Sequence, residues 1–350
     1  MSRTYYDISE MLKTNAEYMM LLGQRSNGKS YQVKKTVLED FYFNETKFIY
    51  LRRWKADIKQ KEVSTYFDDI PIAKYTNREY NSVRAMNGFI YLCKIEDGLI
   101  VEKREMGRYC ALNEYERYKS QVFMNYKNIV YEEFITDSIY LNDEPKLLQQ
   151  FVSTVARLDK IRVFLIGNTL TRVCPYFHEW CLENVLKQKQ GTIEIYKYHM
   201  EDNVEVKIAV EYCANTNNKN TMFFGQAAKQ IVTGEWDVKE VPKLPRQLYE
   251  YEKIYEVMVV YQAFKFVLEL LIEPKEGGVI IFVYPYTSNR KIQRVITDEF
   301  SDKPYISSKL DIDKKPELLM LKALRMDKVC YSDNLTGSDF SKVIEKLKMC

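Results

Sequence analysis

Residues 23–30 read Gly23-Gln24-Arg25-Ser26-Asn27-Gly28-Lys29-Ser30, a complete G-x-x-x-x-G-K-S loop. The apolar run Tyr18-Met19-Met20-Leu21-Leu22 leads into it and a helical segment from Tyr31 follows. Strand, glycine loop and helix in that order are the context that gives the motif its meaning, and they require an α/β fold. Gly23 and Gly28 let the backbone curl so that successive N–H groups converge on phosphate oxygens. The N-terminus of the following helix adds the positive end of its dipole. Lys29 is expected to reach the β- and γ-phosphates, and the Ser30 hydroxyl to face Mg²⁺. Gly23, Gln24, Arg25, Ser26, Asn27, Gly28, Lys29, Ser30 and Tyr31 are therefore the expected nucleotide contacts, with ATP and Mg²⁺ as the groups held.

At 350 residues the chain exceeds one typical domain, and at 46% hydrophobic it can bury real cores. The net charge of +3 is small, so a polyanionic partner would need a local basic surface. No apolar run reaches the length of a membrane span, and polar residues rather than a signal sequence follow Met1. Seven scattered cysteines suit reduced thiols in a cytoplasm. Cys174, His178 and Cys181 have a spacing that suggests metal ligands, but no fourth ligand with zinc-type spacing follows, and a helix face packed on the core is the better reading.

Lys47–Leu51 reads as a strand ending in Arg52-Arg53, and Trp54–Phe67 as a charged helix. Residues 86–103 read as a β-hairpin around Asp97-Gly98. The strand Ile129-Val130-Tyr131, a helix Pro145–Leu158 and the strand Val163–Ile166 follow. Near-continuous apolar strands joined by helices indicate a parallel sheet covered on both faces. Asn215–Asn220 reads as a loop and 234–247, with Pro242 and Pro245, as a linker. Strands at 257–261 and 279–284 and helices at 316–322 and 339–348 suggest a smaller α/β domain from about residue 248. The expected layout is a nucleotide domain over 1–210, a linker over 211–247 and a C-terminal domain over 248–350.

Ile129-Val130-Tyr131-Glu132-Glu133 fits the second half of an ATP site, a Walker B strand. Its first acid, Glu132, would hold the Mg²⁺ ion, and its second, Glu133, would orient and polarise the attacking water. The usual first residue is Asp, so Glu132 is one methylene longer. Asn168, at the end of the next strand, either senses the γ-phosphate or caps the strand. Arg157, at the end of the preceding helix, either reaches a neighbouring subunit's nucleotide or is a solvated helix-terminal arginine.

The blocks Gly23–Tyr31, Phe48–Lys55, Ile129–Ile135 and Gly167-Asn168 with Pro175-Tyr176-Phe177 recur in an order that resembles the DNA encapsidation ATPases of small, short-tailed double-stranded-DNA phages. The resemblance covers about residues 5–180 well and the rest in general layout. It implies a P-loop NTPase of the additional-strand RecA/FtsK-like type, related to terminase large subunits, followed by a vestigial ribonuclease-H-like domain. It implies a homo-oligomeric ring, expected as a pentamer, at the portal vertex of a preformed shell in the host cytoplasm. Its implied partners are double-stranded DNA and the portal protein, and it leaves open whether a packaging RNA joins them. It assigns Arg157 as an arginine finger acting in trans and Lys119 as a second basic residue crossing the subunit boundary. Lys55 is a further basic candidate near the nucleotide. Tyr5, Tyr6 and Asp7 stand where the family places an adenine-side contact, though they also fit a tethered arm.

A working nuclease of the ribonuclease-H type holds two metals on acids projecting from its sheet. The strands read at 257–261 and 279–284 carry no acid, so no nuclease activity is expected. Asp298, Glu299, Asp311 and Asp313 are expected in solvated loops, and Lys275, Arg290, Lys291 and Arg294 as basic positions open to nucleic acid or the portal. Two other classes compete. A P-loop kinase would turn over nucleotide only with a small acceptor. A GTPase switch would need N-K-x-D, and the nearest string, Asn218-Lys219-Asn220-Thr221, lacks the Asp that reads guanine.

Overall fold

The computed structural model describes residues 5–157, 159–182, 184–199, 204–214, 233–274, 277–287 and 291–347. Two compact units form. One holds the chain to Leu170 together with Cys174–Trp236, and the other holds Thr171–Val173 and the chain from Asp237.

The first unit is built on nine strands: β1 (Tyr18–Gly23), β2 (Lys47–Arg52), β3 (Ser82–Met86), β4 (Phe89–Glu96), β5 (Leu99–Ala111), β6 (Tyr126–Glu132), β7 (Arg162–Asn168), β8 (Thr192–His199) and β9 (Glu205–Tyr212). They lie in the order β3-β4-β5-β2-β6-β7-β1-β9-β8. From β5 to β9 every neighbouring pair is parallel. Antiparallel hairpins finish both edges. β7 stands between the loop-bearing β1 and the acid-bearing β6, which is the defining insertion of the additional-strand class.

Side-chain alternation explains the two covered faces. Met19 and Leu21 of β1 enter one core while Met20 and Leu22 enter the other, and Phe48/Tyr50 and Ile49/Leu51 of β2 divide likewise. The unit's helices are α1 (Ser9–Lys13), α2 (Lys29–Asn44), α3 (Gln60–Ser64), α4 (Ile72–Tyr75), α5 (Glu144–Ala156) and α6 (Pro175–Glu179). Val33, Val37, Leu38 and Phe41 make the buried stripe of α2 on the first face. Leu148, Phe151 and Val155 do the same for α5 on the second.

The hairpin turn at Asp97-Gly98 forms where read, with both residues at positive φ, but β5 continues to Ala111 and crosses into the parallel sheet. The stretch read as one helix from Trp54 is broken into a short 3-10 turn and the five residues of α3. The boundary expected at residue 210 falls inside β9, which pairs along β1 and belongs to the central sheet; the division lies between Trp236 and Asp237 instead. Leu158 and the Asn215–Thr221 stretch lie outside the described residues. Cys174 is buried, whereas His178 and Cys181 are exposed. Among the described residues no three His, Cys, Asp or Glu side chains are grouped to hold a metal ion, and no helix is long and apolar enough to cross a membrane.

The second unit carries β10 (Glu252–Tyr261), β11 (Phe264–Ile272), β12 (Val279–Pro285), β13 (Val295–Thr297), β14 (Ile306–Ser307) and β15 (Val329–Tyr331), in the order β14-β13-β10-β11-β12-β15. The first three form an antiparallel meander, and β13 runs parallel to β10. The helices Lys315–Arg325 and Asn334–Leu347 complete its core with Met320, Leu321, Phe340 and Val343.

Two expectations change here. β11 is a strand that was not read, and it carries an acid, Glu269, which is buried beneath the Tyr284 hydroxyl at 3.0 Å and near Lys253 at 3.4 Å. Arg294 is not open to a partner. It is 7% exposed and pairs with the fully buried Glu317 at 3.1 Å, because a guanidinium in the interior needs a carboxylate. Lys291 lines an open cleft of about 620 Å³ with Lys253, Tyr255, Tyr305 and Lys314. Lys275, Arg290 and Lys348 lie outside the described residues.

Burial pushes the Asp339 carboxyl up to about 6, against the pull of the Arg172 guanidinium 2.8 Å away. The folded chain therefore holds this proton in a window, from about 3.8 to about 6, where the unfolded chain has released it. Stability from this group falls as pH rises through that window. Asp339→Asn should flatten the fall, measured as denaturant midpoints at pH 4.5 and pH 7; an unchanged slope would contradict the assignment.

Candidate nucleotide site

The C-terminal ends of parallel strands converge, so the residues that follow β1, β2, β6 and β7 share one edge of the sheet. There a cleft of about 790 Å³ is lined by Tyr5, by the loop and helix start from Arg25 to Gln32, by Asp69, Glu132 and Glu133, and by Ile166–Asn168. Gly23 pairs with Asn168 across β1 and β7, which fixes the loop against the end of β7.

The loop takes its shape from left-handed backbone at Ser26 (φ 58°) and Gly28 (φ 102°). The Asn27 side chain accepts the Lys29 N–H at 3.1 Å. The Lys29 ammonium donates to the Gln24 carbonyl at 2.6 Å and to Asn27 Oδ1 at 3.2 Å. Lys29 is 4% exposed, and burial pulls its pKa down to about 8. Lys29 is thus not a surface lysine: the loop wraps the side chain. Among the described residues Lys29 has only neutral oxygens in hydrogen-bond contact. A buried cation lining a cleft, at the start of α2, fits an anionic phosphate chain.

Burial also pushes the Glu132 carboxyl up, against hydrogen bonds from the Tyr66 and Ser30 hydroxyls and the charges of Lys34 and Arg52. Ser30 and Glu132 thus meet, as two oxygen donors of the kind a hard divalent cation prefers. Glu133 stands next in sequence at φ 58°, a region a non-glycine residue enters at a cost of about 1 kcal/mol. Its side chain, 60% exposed, stands at the cleft's wet side, where Arg52 Nη2 donates to Oε2 at 2.6 Å. Activating water requires Arg52 to release that carboxylate oxygen.

Arg53 was read only as the end of a strand, yet it braces this acid pair. It is 5% exposed, pairs with the fully buried Glu144 at 2.7 Å, and donates to the Glu133 and Phe134 carbonyls at 3.2 and 2.7 Å. The Tyr131 and Tyr176 hydroxyls also donate to Glu144, at 2.7 and 3.0 Å. The signal in the sequence was weak: two adjacent arginines of a strand end necessarily point to opposite sides.

Of the expected contacts, Arg25–Tyr31, Glu132, Glu133 and Asn168 come together in the cleft. Gly23 and Gln24 do not line it; Gln24 is buried beneath the loop, where its backbone lies against Gly234. Tyr5 does line it, because the Tyr6 N–H is tied to the Asn27 carbonyl at 2.9 Å and the Tyr6 hydroxyl to Glu211 at 2.6 Å. Lys55 pairs with Glu114 at 3.7 Å and stays out of the lining. Arg157 ends α5, before β7 starts, whereas the cleft opens at that strand's far end. Its guanidinium is exposed and donates to the Gln121 carbonyl at 3.2 Å. Lys119, two residues from Gln121, is exposed beside Glu116 at 2.7 Å.

Fold and cleft together define a P-loop NTPase of the additional-strand type. Within that class, residues 1–229 match the model of the Podovirus DNA encapsidation protein (Gp16) family, and the chain belongs to that family. The DNA packaging proteins of Bacillus phages PZA and phi29 are each 28% identical over 177 residues, covering 49% of this chain and 49% of theirs. The chain thus aligns with about half the length of the curated relatives it matches. The fold is similar along almost the whole chain to a protein in the bacteriophage Phi-29 viral genome packaging motor assembly, with a TM-score of 0.59 at 17% identity, covering 98% of this chain and 99% of that one.

Proposed function

We propose that this chain is the ATP-hydrolysing subunit of a phage motor that drives double-stranded DNA through the portal into a preformed capsid. The observation that carries the reading is the cleft itself: a buried, anion-seeking Lys29 beside a Ser30–Glu132 oxygen pair and a Glu133 carboxylate, on the chain of an encapsidation-family member. The loop amides and Lys29 bind and orient the phosphates of ATP. Mg²⁺ held between Ser30 and Glu132 would neutralise phosphate charge. Glu133, freed from Arg52, takes a proton from the attacking water. Tyr5 flanks the purine side of the cleft, and Asn168 faces the terminal phosphate. The relatives are named for packaging, which supports double-stranded DNA and the portal as partners and the portal vertex in the host cytoplasm as the place of work. ATP turnover should rise with added duplex DNA and with protein concentration. Turnover that needs a small acceptor instead would favour a kinase.

The motor works as a homomeric ring, and Arg157 and Lys119 serve the neighbouring subunit's nucleotide. Both are exposed, lie near one another and stand apart from their own cleft, which supports delivery in trans. Arg157→Ala should lower turnover by on the order of 10³-fold. Mixing Arg157→Ala with Lys29→Ala chains should recover part of it, because the second supplies the arginine to the intact loop of the first. No recovery at any ratio, despite proven co-assembly, would overturn the trans role.

The second unit is a ribonuclease-H-like domain without nuclease activity. Its meander extended by parallel strands supports the first half of that statement. The engagement of Glu269 and Glu317 by Tyr284, Lys253 and Arg294 supports the second.

A further inference from the structure

Glu132 stands where a shorter aspartate is usual, and its extra methylene adds a rotatable bond and more orientations for the carboxylate. The structure contains a device that removes this freedom. The Tyr66 hydroxyl donates to Glu132 Oε1 at 2.8 Å. Tyr66 is itself fixed from three sides. Its ring lies against Tyr50 of β2 with centroids 4.4 Å apart, and edge-on to Phe67 at 5.2 Å. Its carbonyl accepts from Lys34 Nζ at 2.9 Å, and that ammonium sits 4.9 Å from the ring centroid. Lys34 is in turn paired with Asp69, which lines the cleft. Lys34 lies one helical turn beyond Ser30 on α2. Ser30 and Glu132, the two oxygen donors, are therefore referenced to one another through a single tyrosine.

We propose that Tyr66 is a positioning residue for the metal site, holding the over-long Glu132 so that its carboxylate meets the cation that Ser30 also faces. This rests on the reading of Glu132 as the metal acid. Tyr66 does not line the cleft; it acts by fixing one carboxylate oxygen, as partners behind metal ligands generally do. The arrangement also explains how glutamate is tolerated at this position: the hydroxyl compensates for the added length.

The test uses the full chain and a fluorescent N-methylanthraniloyl ATP, with binding followed against Mg²⁺ concentration. Tyr66→Phe keeps the ring packing on Tyr50 and Phe67, and a melting scan checks that the fold is intact. The Mg²⁺ needed for half-maximal binding should rise about tenfold in Tyr66→Phe, with nucleotide binding in EDTA unchanged. In a Glu132→Asp background the same substitution should shift it less than twofold, because the shorter carboxylate no longer reaches the hydroxyl. No shift in Tyr66→Phe, or an equal shift in both backgrounds, overturns the proposal. Glu132→Gln separates the two layers: if it leaves the Mg²⁺ dependence unmoved, the metal-acid reading fails, whereas a shift there without one in Tyr66→Phe removes the role of Tyr66 alone.

Discussion

Glu133→Gln should stop ATP hydrolysis while ATP still binds, with turnover reduced by about 10²- to 10⁴-fold, the usual worth of a positioned general base. The amide keeps the shape of the side chain and its contact with Arg52 but cannot take a proton from water. Stability should change little, since the side chain is 60% exposed and its pair with Arg52 is of the surface kind, worth about 1 kcal/mol or less. Single-turnover hydrolysis and equilibrium ATP binding, measured on the same preparation, separate the two effects. Weakened binding with normal turnover per bound ATP would move the catalytic role to Glu132.

The contrast between Glu132 and Glu133 shows how far the sequence could be read. An apolar run ending in two acids, a set distance after a G-K-S loop, marks both as residues of the cleft. Which of them meets the Ser30 hydroxyl depends on the φ of 58° at Glu133, a turn made where the Glu133 N–H bonds the Ile166 carbonyl of β7. Nothing local in the sequence encodes that bond. The same holds for Arg52 and Arg53. They are identical in composition and adjacent, yet one meets Glu133 in solvent and the other is sealed against Glu144, 91 residues away.

Strands divide along similar lines. β1, β2, β6 and β7 are buried on both faces and announce themselves as apolar runs. Thr192–His199 has its side chains largely exposed and is a strand because it pairs with β9, which itself pairs with β1. β13, β14 and β15 are only two or three residues long, too short for any periodicity; β13 and β15 exist because β10 and β12 offer them edges, and β14 because β13 does. Arg294 read as a surface cation because its partner, Glu317, lies on a helix 23 residues later.

Lys29→Ala should abolish ATP turnover and weaken ATP binding severely, since the phosphate chain loses the cation at the floor of its cleft. The fold should survive. Lys29 is buried, and burial pulls its pKa down to about 8, which means that the interior disfavours the charge. Removing the ammonium therefore lifts a desolvation cost at the same time as it leaves the Gln24 carbonyl without a donor. Each of these is of order 1–3 kcal/mol, and they oppose one another. The melting temperature without nucleotide should therefore stay close to that of the unsubstituted chain, while the increase that ATP and Mg²⁺ confer should disappear. That increase is the sharper readout, because it reports binding to the folded state alone. A variant that keeps both the nucleotide-dependent increase and its turnover would remove the phosphate-loop reading. One that melts far lower without nucleotide would show that the lysine's hydrogen bonds to Gln24 and Asn27 outweigh the cost of burying its charge.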